Sequence, residues 1–347
     1  MLALLLSIRN PKTKTKTKTK TKTKTSLHRM SSSLTTRHAA DPPDIKLLTT
    51  SSDKPCKANA TVRRRDQRRR IRRQLTSISP TNAHPQRQSP LWSKLPPEIR
   101  NQIFTLAVSQ HVDLTRPYPE NSWHFRPGYT HASNMYTDLL ATCRLAYWEA
   151  SAIPLSTATL PVWDDRGPPD APRWRFAEFT ARNTALLNHV HFFVRRPNGH
   201  WYTPLPQFRP KRITITIRHT SWYGWPNDKP LMILDTWRSG LCPPNTKFPS
   251  CLRELTIEFE TLKRKRDQLN DIINKRAYNW RFALEDGTVL SPLATPPKYS
   301  EWTGAADFGG VKWRLAHGNR DTIDYIVVAL TWKPGSSDHG VKMVESA

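Results

Sequence analysis

The chain has 347 residues and a formal charge of +26, and about two-thirds of that excess lies in the first quarter: residues 1–90 hold 22 basic and 4 acidic residues, residues 91–347 hold 32 and 24. Thirty prolines stand against only 12 glycines, the first of them Gly128, which argues against Gly-rich phosphate loops, and no apolar run approaches the ~20 residues of a bilayer span. The residues after the tail suffice for one large or two small cores.

The opening Met1–Leu6 is apolar but too short for a secretory signal. Residues Lys12 to Thr25 are a strict Lys-Thr dipeptide repeat, whose like charges repel and whose threonines bury little, so a disordered segment is expected. The repeat cannot form the apolar face of a mitochondrial presequence, and an incidental repeat expansion, or a start at Met30, explains it without a role. Arg63, Arg64, Arg65, Arg68, Arg69, Arg70, Arg72 and Arg73 place eight arginines in eleven residues. Such a run suits the acidic grooves of a nuclear import receptor, and equally a nucleic-acid backbone bound without sequence preference. Nuclear or cytoplasmic residence follows, the nucleus preferred, and four scattered cysteines with no Cys-x-x-Cys pair fit free thiols in a reducing compartment. Pro80, Pro85 and Pro90 mark the end of the tail, so residues 1–90 read as disordered basic tail.

From Leu91 a helix is expected to begin at the prolines of Leu95-Pro96-Pro97-Glu98-Ile99. Proline in a first turn costs no hydrogen bond, and Glu98 faces the positive helix end. Ile99, Ile103 and Leu106 then recur at i, i+4 and i+7 as one apolar stripe. A second helix is expected over about Ser133–Ala152, with Met135, Leu139, Cys143, Tyr147 and Ala150 at helical spacing.

Together these segments resemble an F-box, through Leu95, Pro96, Glu98, Ile99, Ile103 and Phe104 and the later Cys143-Arg144. They are similar above all to a group of fungal F-box-like proteins of unknown function, with a start "LPPEIRNxIF" and a second element "LLxTCRxxYxEA". Segments Phe208–Trp237 and Phe248–Gly304 extend the resemblance, which covers about 240 residues in modest, collinear motifs. The two elements lie 48 residues apart, and Ala146 stands where the family has tryptophan three residues after the cysteine, with Tyr147 and Trp148 following. The resemblance implies that residues 91–160 form an F-box-like helical module. Its Leu95, Pro96, Glu98, Ile99, Ile103 and Phe104 would touch the Skp adaptor of cullin-RING ubiquitin ligases, and the region beyond would hold a substrate.

Residues 161–335 read as strand-rich. Lys211–Arg218 alternates apolar and polar as a half-buried strand, and Leu187–Phe192 and Leu252–Phe259 share an L-x-x-L-x-L spacing. Their irregular intervals disfavour a solenoid and fit a single mixed sheet. A long helix is expected over 261–282, with Lys263–Arg266 as a solvated basic face, then a hairpin turn at Asp286-Gly287. Val311–Leu315 and Thr322–Trp332 read as a closing strand pair joined through Gly318-Asn319, and residues 336–347 as a tail. The expected fold is α+β: an F-box-like helical module on a mixed, largely antiparallel sheet with one long helix.

No nucleotide-loop, zinc-protease or nucleophile-elbow motif occurs, and no cofactor is expected. His189-x-His191 puts two imidazoles on one strand face, but hydrogen-bonded strand histidines are commoner than metal ligands. Asp164-Asp165 and Asp321/Asp324 read as caps. Thirteen tryptophans, interleaved with polar groups at His124–Arg126, Arg173–Phe176, His200–Tyr202 and Trp222–Trp225, fit either core packing with cation–π pairs or a stacking surface for a planar ligand. The function expected is that of a non-enzymatic interaction module of F-box type. The competing reading is a nuclear protein held on nucleic acid by its arginine-rich tail, without membrane association.

Overall fold

The computed structural model describes residues 66–67, 70–71, 73–169, 181–194, 208–233 and 247–335. The residues from Ile78 onward form one compact unit. Turns and helical backbone are thus described before Pro90. Pro80–Asn82 make a 3-10 turn, and the Arg144 guanidinium donates to the Asn82 carbonyl at 3.2 Å.

The fold is α+β. A short helix α1 (Pro90–Ser93) leads into α2 (Pro97–Val108), which starts where the prolines and Glu98 predict. The expected second helix over 133–152 is broken into pieces. Strand β1 (Gln110–Pro117) pairs antiparallel with β2 (His131–Met135), a 3-10 turn spans Asp138–Ala141, and α3 (Arg144–Ala150) and α4 (Ile153–Thr157) follow. Helical spacing runs through Cys143, but its backbone is extended, at φ −155° and ψ 164°, and its Sγ accepts from Ala146 N as an N-cap. The residues that lengthen the interval between Leu95 and Cys143 are the β1–β2 ribbon and its connecting loop.

One eight-stranded sheet carries the rest. Strands β3 (Thr159–Trp163), β4 (His189–Val194), β5 (Arg212–Ile217) and β6 (Glu254–Leu262) run parallel and in sequence order, β4 being preceded by helix α5 (Ala181–Leu186). The antiparallel half follows: β7 (Phe282–Ala283), β8 (Val289–Pro292), β9 (Lys298–Ala305) and the thirteen-residue β12 (Thr322–Pro334), which pairs with β6, β8 and β9. The sheet is therefore mixed in nearly equal parts rather than largely antiparallel. Long connections such as 164–188 and 218–253 allow parallel crossovers, whereas Asp286-Gly287, with Gly287 at φ +86°, closes a tight antiparallel hairpin.

Two other expectations change. The helix over 261–282 shrinks to α6 (Arg266–Lys275), because Thr261 and Leu262 still belong to β6, opposite Ile326 and Tyr325. Arg276, at φ −128° and ψ −55°, then ends it. Val311–Leu315 does not pair with β12. Val311 and Lys312 form β11 against β10 (Asp307–Phe308) across the positive-φ pair Gly309-Gly310, and Arg314–His317 make a single turn, α7. The true neighbour of β12 is β9, where Gly304 lies under Trp302. A Cβ at Gly304 would come 2.3 Å from that indole, which stacks on Tyr325 at 4.4 Å.

The main core lies on one sheet face. Val190 and Phe192, Ile213, Ile215 and Ile217, Leu255, Ile257 and Phe259, and Ile326, Val328, Leu330 and Trp332 alternate inward from four strands. Leu155 of α4 and Leu269, Ile272 and Ile273 of α6 close over them. Each fully buried large side chain contributes about 1.5–3 kcal/mol through removal of apolar surface from water. The opposite face carries the intervening positions of the same strands: His189 and His191, Thr214 and Thr216, Glu258 and Glu260.

Candidate functional site

Helix α2 has two distinct faces. Arg100, Phe104 and Val108, spaced i, i+4, i+8, turn inward; Phe104 and Val108 are fully buried. The Arg100 guanidinium grips α3 in a fork, Nε and Nη2 each 3.0 Å from the two Glu149 oxygens, while Nη1 donates to the Leu95 carbonyl at 2.8 Å. This pair, only slightly solvent-exposed, ties the two elements that carry the F-box resemblance to each other. The outward face holds Ile99 at 41%, Ile103 at 38% and Leu106 at 83% exposure. Pro96 and Glu98 are exposed beside them and Leu95 is half-buried at the helix entrance.

The predicted site residues therefore separate. Leu95, Pro96, Glu98, Ile99 and Ile103 line an accessible edge and face, whereas Phe104 points into the fold and is unavailable to a partner. Leu106 belongs to the accessible stripe; its place seven residues after Ile99 was the signal for it. Trp148 of α3, half exposed, adds a further apolar group in the same module.

Of the arginine cluster, Arg70 and Arg73 are described; both are exposed and in helical backbone. Arg63, Arg64, Arg65, Arg68, Arg69 and Arg72, like the Lys-Thr repeat, lie outside the described residues, as do Arg173–Phe176 and His200–Tyr202. Cys143 and Cys251 are free thiols. No described helix is long and apolar enough to cross a membrane.

The second sheet face is a buried polar ladder, roofed by residues 123–129 from the β1–β2 loop. Thr216 Oγ1 donates its one proton to Glu258 Oε2 at 2.6 Å, so His191 Nε2, 2.7 Å away, must donate to Thr216. His191 Nδ1 is then the acceptor for the Tyr129 hydroxyl at 2.7 Å. Burial, with Arg126 and His189 nearby, holds His191 well below the usual histidine range, in keeping with this neutral tautomer. His189 sits between Thr159 and Thr214 at 2.9 and 3.0 Å, so both imidazoles are engaged by hydroxyls. No metal-binding cluster occurs among the described residues.

Next along β6, Glu260 is wholly buried between two buried guanidinium groups. Arg218 Nε lies 3.3 Å from Oε1 and Arg126 Nε 3.7 Å from Oε2, and the amide of His219 adds a 3.4 Å contact. Arg126 also bonds Glu258 at 2.9 Å, and Arg218 donates to the Trp123 carbonyl. Lys263, Arg264 and Arg266 of the basic run are about half exposed, as a solvated face requires, and Lys265 alone turns inward. Buried Lys265 reaches Asp228 at 2.9 Å and the Lys229 carbonyl, Arg264 joins Asp228 to the Ala316 carbonyl, and Lys263 pairs with Glu301 at 2.6 Å. Asp321 and Asp324 likewise serve local contacts, with Lys312 and Thr303.

Trp222 is buried, its Nε1 donating to the Glu260 carbonyl at 2.9 Å, while Trp225 is half-buried in an aromatic cluster with Trp123, Trp313 and Phe308. Behind it His219 and His317 meet at 3.1 Å through their Nε2 atoms. His317 Nδ1 donates to the Ala306 carbonyl at 2.6 Å, so its Nε2 accepts and His219 donates. Both rings are neutral in this arrangement, and burial lowers the pKa of each.

A pH dependence follows with a definite sign. A histidine kept neutral in the fold but free to protonate when unfolded stabilises the protein above about pH 6.5, and that stability is lost as pH falls. Stability is expected to drop between pH 7 and 5 by up to about 1.4 kcal/mol per pH unit for each such histidine. Urea denaturation at pH 7.5, 6.5 and 5.5 checks this, and a constant midpoint would contradict it.

A scan of protein-family models finds no match to this chain, and searches of curated proteins and of solved structures find none either.

Proposed function

We propose that this protein is a non-enzymatic interaction module that docks a partner on helix Pro97–Val108, in the manner of an F-box-type substrate receptor held by the Skp adaptor of a cullin-RING ubiquitin ligase. The observation that carries the reading is the outward stripe of Ile99, Ile103 and Leu106. The fold already has an inward anchor in Phe104, Val108 and Arg100, so it gains nothing from a second apolar face exposed to water. Contiguous exposed apolar side chains on a rigidly held element characterise protein-binding surfaces. The residues beside the stripe, Leu95, Pro96 and Glu98, are those through which the chain resembles an F-box. The Arg100–Glu149 fork supports the same reading, since it fixes the helix without using any outward residue.

The ladder on the sheet favours a structural over a catalytic role: its Tyr129, His191, Thr216 and Glu258 are consumed in one directed chain of hydrogen bonds, and Thr216 is fully buried. Co-purification of the full chain with the adaptor is the expected result, lost on Leu95→Ala with Pro96→Ala. Failure to recover adaptor where a true F-box protein recovers it would overturn the proposal.

A further inference from the structure

We infer that the buried His219–His317 pair is a proton-sensitive clasp. At neutral pH it holds residues 306–318 closed over the aromatic cluster, and a proton taken up by the pair releases that segment before the sheet unfolds. The clasp shares no residue with the docking helix and does not depend on how that helix is read.

The segment leaves the sheet at the end of β9 and returns at β12, two neighbouring antiparallel strands. His317 Nδ1 donates to the Ala306 carbonyl at 2.6 Å and so fastens one end of the segment to the other. From the sheet side His219 meets His317 at 3.1 Å, and Arg264 reaches the Ala316 carbonyl at 2.8 Å. Gly309 N bonds the Asn121 carbonyl at 2.8 Å, and Phe308 stacks on Trp123 at 5.0 Å. Ala306 and Phe308 pack with Leu262, Ile323 and Tyr325 in a small cluster separate from the main core. Release of the segment would therefore uncover Trp123, Trp225 and Trp313 and leave the main core intact, a local opening rather than a global one.

The geometry accepts one proton between the two rings. His317 Nε2 is the acceptor for His219 Nε2–H, and His219 Nδ1, buried, has no hydrogen-bond partner among the described residues. A second proton on His317 Nε2 would set two N–H groups against each other. The alternative moves the His219 proton to Nδ1, where no acceptor faces it. Either way an imidazolium would join buried Arg218, buried Lys265 and half-exposed Arg264. The carboxylates are already engaged: Asp228 with Arg264 at 2.6 Å and Lys265 at 2.9 Å, Glu260 with Arg218 at 3.3 Å and Arg126 at 3.7 Å. The other neighbours are rings: Trp225 beside both imidazoles, Phe308 beside His317, and Tyr325 beside His219, its hydroxyl donating to the Ala305 carbonyl. Burial, seconded by these cations, holds both histidines below their ordinary range. The additional proton is thus better held on a ring in water, which His317 reaches by letting go of Ala306. The sign follows: the clasp is fully effective above about pH 6.5 and weakens as pH falls toward the lowered folded-state values.

Hydrogen–deuterium exchange of the full chain at pH 7.5 and 5.5 tests this, with rates corrected for the intrinsic pH dependence of exchange. Peptides covering 306–318 are compared with peptides from β6 and β12. An opening linked to proton uptake becomes about ten-fold more populated over this range for each histidine that gains a proton, so about ten- to hundred-fold faster exchange is expected in 306–318. Protection of β6 and β12 should change far less. His219→Gln/His317→Gln keeps amide donors and removes both titrating rings, so its exchange in 306–318 should no longer respond to pH; His317→Gln alone should respond less than wild type. Should neither variant fold, the wild-type comparison decides by itself. Unchanged protection of 306–318 in wild type, a loss shared equally by β6 and β12, or the full wild-type response in a folded double variant would overturn the inference.

Discussion

Glu260→Ala is expected to destabilise the fold by about 3–5 kcal/mol, the cost of leaving a buried charge without its partner. A typical domain has only about 5–15 kcal/mol in total, so this one substitution would remove a large share of it. The carboxylate is wholly buried and is the shared partner of Arg126 and Arg218, which come from the β1–β2 loop and the end of β5. Arg126 would retain Glu258 at 2.9 Å, but Arg218 would keep only a carbonyl partner. Burial is the largest single influence on Arg126 and opposes its charge; Glu260 and Glu258 together outweigh it. The Arg126–Glu260 approach at 3.7 Å is electrostatic rather than a hydrogen bond, so removing the charge should matter more than removing the shape. Glu260→Gln, which keeps the volume but not the charge, should therefore also be clearly destabilising. Urea denaturation followed by tryptophan fluorescence measures both, and a loss below about 1 kcal/mol for the alanine variant would show that the network does not hold the roof on the sheet.

The second large effect separates the two faces of one helix. Phe104→Ala is expected to cost about 3–5 kcal/mol, because a fully buried aromatic leaves a cavity. Leu106→Ala, two residues on at 83% exposure, should stay within about 0.5 kcal/mol of wild type. The same denaturation experiment reads both. Similar losses at the two positions would mean that Leu106 is covered by the protein itself, and that the stripe is core rather than docking surface.

These contrasts show what the residue pattern could and could not reveal. The start of the docking helix was legible because proline and Glu98 act locally, and Asp286-Gly287 announced its hairpin for the same reason. Strand β5 was legible from Ile213, Ile215 and Ile217, and its neighbours from Leu187–Phe192 and Leu252–Phe259, but their parallel direction was not, since alternation fixes a face and not a direction. Strand β9 was missed because Lys298–Ala305 is mostly exposed and has no apolar period; its pairing comes from the long β12. Cys143 broke a helix that spacing alone would continue, through a thiol cap that periodicity does not register.

The site was half legible. The stripe at Ile99, Ile103 and Leu106 follows from helical spacing, but spacing offers Arg100, Phe104 and Val108 as a rival face, and only the Glu149 partner on α3 decides which one turns inward. The polar ladder was hidden differently. Threonine, histidine and glutamate at alternate strand positions look like a solvent face, and here a loop carrying Arg126 and Tyr129 covers and satisfies them. Within Lys263–Arg266 only Lys265 departs from the expected solvated face, for a related reason: its acidic partner, Asp228, is distant in sequence.

The docking claim rests on one helix face, and binding of purified adaptor by the full chain, titrated with wild type and with Ile103→Asp/Leu106→Asp, tests it most directly. Both side chains are already exposed, so the variant should keep the wild-type melting temperature while its affinity falls by at least about 100-fold, the loss expected when central apolar contacts are replaced by charge. Adaptor binding that survives this substitution in a normally folded protein, or that is absent from the wild type, would contradict the account.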